Sequence, residues 1–122
     1  LVGEDVEPPE SFTPELVKKD DWFNGQYVLV FDTTDKGSGI DAYYVKEVNF
    51  EFFAPFVSWR LVNSPYVIND QTLRSFVFIK AQDRAGNSEV VQVIPKSPRA
   101  IWPFIVVVVL LFLILLRRKM VI

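Results

Sequence analysis

The chain has 122 residues, with 13 Lys and Arg against 15 acids, and neither histidine nor cysteine. One domain is the expectation at that length. The missing residue types exclude a disulfide framework, a thiolate metal site, the usual imidazole base and the commonest zinc ligand. Residues 1–99 carry all fifteen acids and ten of the cations, a balance of −5. No basic surface for nucleic acid is therefore expected, and no enzyme.

LVGEDVEPPE, residues 1–10, is acidic and bears prolines, so it reads as a linker. Leu1-Val2-Gly3 leads straight into acids and prolines rather than into a signal peptide, which suggests a mature or truncated start. Residues 11–95 read as β throughout. Asp20 and Asp21 adjoin Lys18 and Lys19, as in a solvated loop, with Trp22 and Phe23 beside them. QYVLVFDTT (26–34) and AYYVKEV (42–48) are β-rich runs, and SWRLVN and PYVI make two short ones around Ser64-Pro65. RSFVFIKAQD (74–83) alternates, Phe76, Phe78 and Lys80 on one face and Val77, Ile79 and Ala81 on the other, and SEVVQVIP (88–95) closes the set. Short strands at turn-marked spacing predict an all-β, antiparallel sandwich or barrel.

TTDKGSGID, residues 33–41, is the loop most suggestive of a ligand. A phosphate loop needs G-x-x-x-x-G-K-[ST] before a helix; here Lys36-Gly37-Ser38 leads into a strand. An EF-hand needs acids at alternate positions and a closing Glu, and Asp32, Asp35 and Asp41 do not supply that spacing. A calcium site assembled from separate loops would draw on Asp35, Asp41 and Asp83. The preferred reading is structural, because Gly37 and Gly39 permit positive φ and Asp35 and Ser38 can bond the turn backbone. No metal or other cofactor is expected. DRAGN (83–87) reads likewise as a turn.

Residues 101–116, IWPFIVVVVLLFLILL, contain no charge and are followed by Arg117, Arg118 and Lys119. Such a helix spans roughly 24 Å, somewhat less than a hydrocarbon core of roughly 30 Å. Ala100 at one end and snorkelling arginines at the other narrow the gap. One transmembrane helix is predicted, with residues 96–100 as a juxtamembrane linker and 117–122 as a short cytoplasmic tail. The cations anchor the cytoplasmic side and Trp102 suits the outer interface, so the body is expected outside the cell, at the cell membrane. Lys96 and Arg99 weaken that asymmetry without reversing it. IPKSP at 94–98 is not a sortase motif, so covalent wall anchoring is not expected.

DKGSGID, SPYVINDQTL and VFIKAQDRAGNS stand in that order along residues 11–95. The set resembles bacterial and archaeal immunoglobulin-like surface domains of the fibronectin type III and cadherin-like kind. In that family an SGI-type loop precedes strand C, a DQ-x-L segment lies between strands E and F, and A-x-D-x-AGN makes the F–G turn. The matching residues are Ser38-Gly39-Ile40, Asp70-Gln71-x-Leu73 and Ala81-x-Asp83-x-Ala85-Gly86-Asn87. The resemblance implies an immunoglobulin-like β-sandwich of about seven strands. NFEFFAPF (49–56) departs from it, being long and aromatic for a C–C′ connection.

In such a meander strand G would end beside the membrane. Phe50, Phe52, Phe53 and Phe56 would then lie at that end with Trp22 and Phe23, either capping the core or touching lipid headgroups or a partner. The expected function is a single-pass, membrane-anchored extracellular module, structural or adhesive, presenting an upstream domain or protein partner. The alternative is an accessory subunit docked into a larger membrane complex through its helix and aromatic loop.

Overall fold

In the computed structural model residues 5–94 and 102–120 are described. The expectations at Lys96, Arg99 and Ala100, at the 96–100 linker, at Ile101 and at the extreme termini lie outside them. Among the described residues seven strands form two antiparallel sheets, and one α-helix follows. The strands are β1 (Glu15–Val17), β2 (Val28–Val30), β3 (Ile40–Val48), β4 (Arg60–Val62), β5 (Tyr66–Val67), β6 (Phe76–Asp83) and β7 (Ser88–Ile94). The smaller sheet runs β1-β2-β5 and the larger β4-β3-β6-β7. Of these, β1 has no counterpart among the runs read from the sequence; the other six do.

The core is built from both sheets. Leu29 and Phe31, on and just after β2, and Tyr66 and Ile68, on and just after β5, meet Val45 of β3 and Val77 and Ile79 of β6. Period-two alternation puts them there: Val77, Ile79 and Ala81 are fully buried, whereas Phe78 and Lys80 are half-buried on the other face. That other face carries a cation–aromatic ladder. The Lys80 ammonium lies 4.8 Å from both the Tyr44 and Trp59 rings, and that of Lys46 lies 4.4 Å from Trp59.

The register fixes which loops share an end. Ile40 pairs with Asp83 and Gln82 with Ser88, so the β2–β3 loop and the β6–β7 turn meet at one tip. Val48 pairs with Phe76 and Val77 with Ile94, so the segment after β3 lies at the opposite end, where β7 finishes.

The helix α1, Trp102–Met120, occupies the segment expected to be helical and extends past it by one turn. Every side chain in it is exposed. Among the described residues, however, no helix is long and apolar enough to cross a membrane. Its uncharged part, residues 102–116, rises only roughly 22 Å before Arg117.

Candidate functional site

The tip gathers acids. One carboxylate oxygen from each of Asp5, Asp35 and Asp83 lies within 4.8 Å of the other two. Asp35 comes from the β2–β3 loop, Asp83 ends β6, and Asp5 comes from the segment before β1. The sequence had suggested Asp35, Asp41 and Asp83 as acids that separate loops could bring together. The structure joins the first and third, but Asp41 is exposed on β3 and stands outside the group.

Each acid is held by local chemistry. The Asp83 carboxylate, 1% exposed, accepts the Ala85 and Asn87 amides at 3.0 and 2.8 Å and the Asn87 side-chain amide at 3.0 Å. Those bonds close the β6–β7 turn, where Gly86 takes φ +93, a conformation disfavoured for side-chain-bearing residues. Burial pushes the Asp83 pKa up, but the bonds from Asn87 and its link to Asp35 outweigh it and hold the group at about 2. Asp35 accepts the Gly37 amide at 2.8 Å on Oδ1. Its Oδ2 exposes less than 1 Å² and has no hydrogen-bond partner. Burial, with the charges of Asp5 and Asp83 added to it, pushes Asp35 above its ordinary value against the opposing Gly37 bond.

Asp5 reaches the tip because the chain before β1 is laid along the β2–β3 loop. Its Oδ2 accepts the Ser38 amide at 3.0 Å and the Ser38 hydroxyl at 2.8 Å, and its carbonyl accepts the Asn87 side-chain amide at 2.9 Å. A Cβ at Gly37 would meet the Asp5 carboxyl at 2.5 Å, so glycine is what admits the side chain. Further along, the Glu10 amide bonds the Thr34 carbonyl at 2.9 Å, the Thr33 hydroxyl bonds the Glu10 carbonyl, and Pro9 is buried. Residues 5–10, read as a linker, thus have a docked path. No signal in LVGEDVEPPE marks it, because the partners are distant in sequence.

At the opposite end sits the aromatic segment. A 3-10 turn at Glu51–Phe56 carries Phe52, Phe53 and Phe56, which are 56%, 46% and 83% exposed. Phe50 is half-buried and stacks on Phe52 with centroids 5.6 Å apart. The buried Lys46 pins the turn by donating to the Ala54 carbonyl at 2.7 Å while its ammonium rests on Trp59. Trp22 and Phe23 follow β1 and pack edge to face at 4.8 Å. Trp102 opens α1, 66% exposed, and Arg117, Arg118 and Lys119 close it.

At that same end the Asp70-Gln71-x-Leu73 motif, in the β5–β6 loop, has a structural role at each position. Asp70 accepts from Thr72, Arg74 and Ser75, Gln71 bridges to Tyr27 in both directions, and Leu73 packs against the core from a left-handed φ of 59. The chain matches no protein-family model, no curated protein and no solved structure.

Proposed function

We propose that this chain is a single-pass, membrane-anchored module whose immunoglobulin-like β-sandwich stands outside the cell in a structural or adhesive role, without catalysis. The observation that carries the reading is α1: an uninterrupted apolar run, all of it exposed, closed by three cations. In water each of those large side chains forgoes the roughly 1.5–3 kcal/mol that burial supplies. A helix apolar on every face belongs in a protein interior or a bilayer. The gap between roughly 22 Å and a roughly 30 Å core is of the size that snorkelling of Arg117 and Arg118 and local thinning accommodate. The cations then mark the cytoplasmic side and Trp102 the outer interface.

The strand order supports the sandwich half of the proposal. Sheets of β1-β2-β5 and β4-β3-β6-β7 correspond to strands A-B-E and C′-C-F-G of a fibronectin-like arrangement. In that arrangement the last strand leads into the anchor. Phe50, Phe52, Phe53 and Phe56 then face the headgroup layer, or a partner within it, from the end where β7 finishes. Rings of this kind are favoured there. Their exposure also favours a second reading, an accessory subunit that docks on a larger membrane complex through those rings and α1.

Alkaline extraction of membranes from expressing cells tests the anchor. The full chain stays with the membrane pellet, and a variant carrying Val108→Lys and Leu111→Lys is released. Release of the unmodified chain would refute the proposal. Native sizing after mild detergent separates the two readings: a small free species supports the self-standing module, a large defined complex the subunit.

A further inference from the structure

We propose that the open seam between β1 and β7 takes an extended peptide strand that carries Lys or Arg. These two strands are sheet edges: β1 ends the order β1-β2-β5 and β7 ends β4-β3-β6-β7. Among the described residues no strand pairs with the outer edge of either. A groove of about 620 Å³ lies between them, lined by residues 11–16 on one side and 89–93 on the other. Its floor is core rather than surface. Phe12, Leu16, Val91 and Val93 pack against the buried cluster, yet all four are only half-buried. The sandwich is thus unclosed along this side, with apolar surface and unpaired backbone in one place.

Backbone geometry selects the form of the occupant. Alternate residues of an antiparallel edge strand turn both N–H and C=O away from the partner strand. β7 therefore presents donors and acceptors along the groove at the spacing of another extended backbone. Alternate side chains of such a strand drop onto the apolar floor. Charge selects its sequence. Glu89 stands opposite the buried Ala81 and alternates with Val91 and Val93, so its half-buried carboxylate is on the core-facing side of β7. Glu15 lines the other wall, and no Lys or Arg lines the groove. The ion pairs among the described residues are Lys36–Glu10 and Arg60–Glu47, and neither involves these two acids. An inward acid on an edge opposes pairing with an apolar strand, whereas a strand bearing a cation meets it with a charge-assisted bond. A second copy fits poorly, because its β7, SEVVQVI, brings another Glu89 and no cation. The inference rests on this seam and stands whether or not α1 enters a bilayer.

The test is titration of the full chain in detergent micelles with three end-capped peptides, read by calorimetry and hydrogen exchange. The first is Lys-Thr-Val-Thr-Val-Thr-Lys, the second has glutamate for both lysines, and the third is the lysine peptide N-methylated at its five inner residues. The lysine peptide binds saturably at one equivalent and raises exchange protection over residues 89–93. The glutamate and N-methylated peptides bind at least tenfold more weakly. Glu89→Gln weakens the lysine peptide at least threefold, and Asp41→Asn, exposed on β3 and outside the groove, leaves it unchanged. No saturable binding of the lysine peptide up to about 1 mM would overturn the proposal. Equal binding of the N-methylated peptide, or equal losses from Asp41→Asn and Glu89→Gln, would overturn it too, by revealing attraction to an acidic surface without strand pairing. A dimer that protects residues 89–93 without peptide would also overturn it, by making the occupant a second copy.

Discussion

Glu47 is the acid on which the contact between the two sheets most depends, and replacing it with alanine is the sharpest test of the packing. It stands on β3, in the larger sheet, with its side chain only 10% exposed. It reaches across to Tyr66 of β5, in the smaller sheet, whose hydroxyl donates to Oε2. It also accepts the Asn69 amide at 3.1 Å and the Asp70 amide at 3.2 Å. Arg60 lies 3.9 Å away and is more than half exposed, so that ion pair adds little. Glu47→Ala leaves the Tyr66 hydroxyl with Arg60 as a donor but with no acceptor for its own proton, at about 2 kcal/mol, and loosens two amides nearer solvent, at about 1 kcal/mol together. The sum of about 3 kcal/mol corresponds to about 12–24 °C in a body of this size. Tyr66→Phe alone costs about 1 kcal/mol, because Glu47 keeps its two amides. Urea unfolding of the full chain in detergent, followed by near-ultraviolet dichroism, gives both values and their coupling, expected at about 1–2 kcal/mol. A Glu47→Ala loss below about 0.5 kcal/mol, or coupling near zero, would refute this account of how the sheets are joined.

Asp70 shares the acid-side pH dependence with Asp83. Its carboxylate accepts from the Thr72 and Ser75 side chains and from backbone amides, which together hold it well below the ordinary 3.8. A folded-state value below the unfolded one gives stability that is fully present above about pH 4 and is lost as pH falls through the folded value. Asp70→Ala, costing about 2–3 kcal/mol at pH 7, should flatten that acid limb in pH-dependent melts; an unchanged limb assigns the sensitivity elsewhere. In the aromatic segment, serine at both Phe52 and Phe53 should shift the melting temperature by no more than a few degrees, because both rings are exposed. In lipid nanodiscs the same change should lower hydrogen-exchange protection over residues 50–57. A fall of more than about 10 °C would place the rings in the core.

How much of this was legible in the sequence depended on range. The alternation in RSFVFIKAQD identifies β6 and its buried face, since Val77, Ile79 and Ala81 need only the two-residue period of a strand. The Asp35–Gly37 bond and the turn at Asp83-Asn87 are legible for the same reason, being local, whereas Ser38, expected to bond its own turn, bonds the distant Asp5 and Ala85. Asp5 is not legible: its carbonyl meets Asn87 across 82 positions, and the acidic, proline-bearing composition around it matches that of a free linker. Glu47 escapes detection differently. In YVKEV either Lys46 or Glu47 could be the inward residue, and only the register with β6 and the position of Tyr66 put Glu47 inside. β1 is three residues long, too short for any periodic signal. The aromatic segment was conspicuous in the sequence, but its exposure depends on Lys46 pinning the turn, a contact that composition does not encode.

The central claim is that α1 crosses the membrane with the two-sheet body outside, and single-cysteine labelling measures it directly. The chain has no cysteine of its own, so each introduced thiol reports alone. Ser88 is exposed at the start of β7, and Met120, 85% exposed, ends α1 beyond the three cations. On intact cells a membrane-impermeant maleimide should label Ser88→Cys fully and Met120→Cys only after permeabilisation. Labelling of Met120→Cys but not Ser88→Cys before permeabilisation would contradict the orientation, and equal labelling of both would contradict the span.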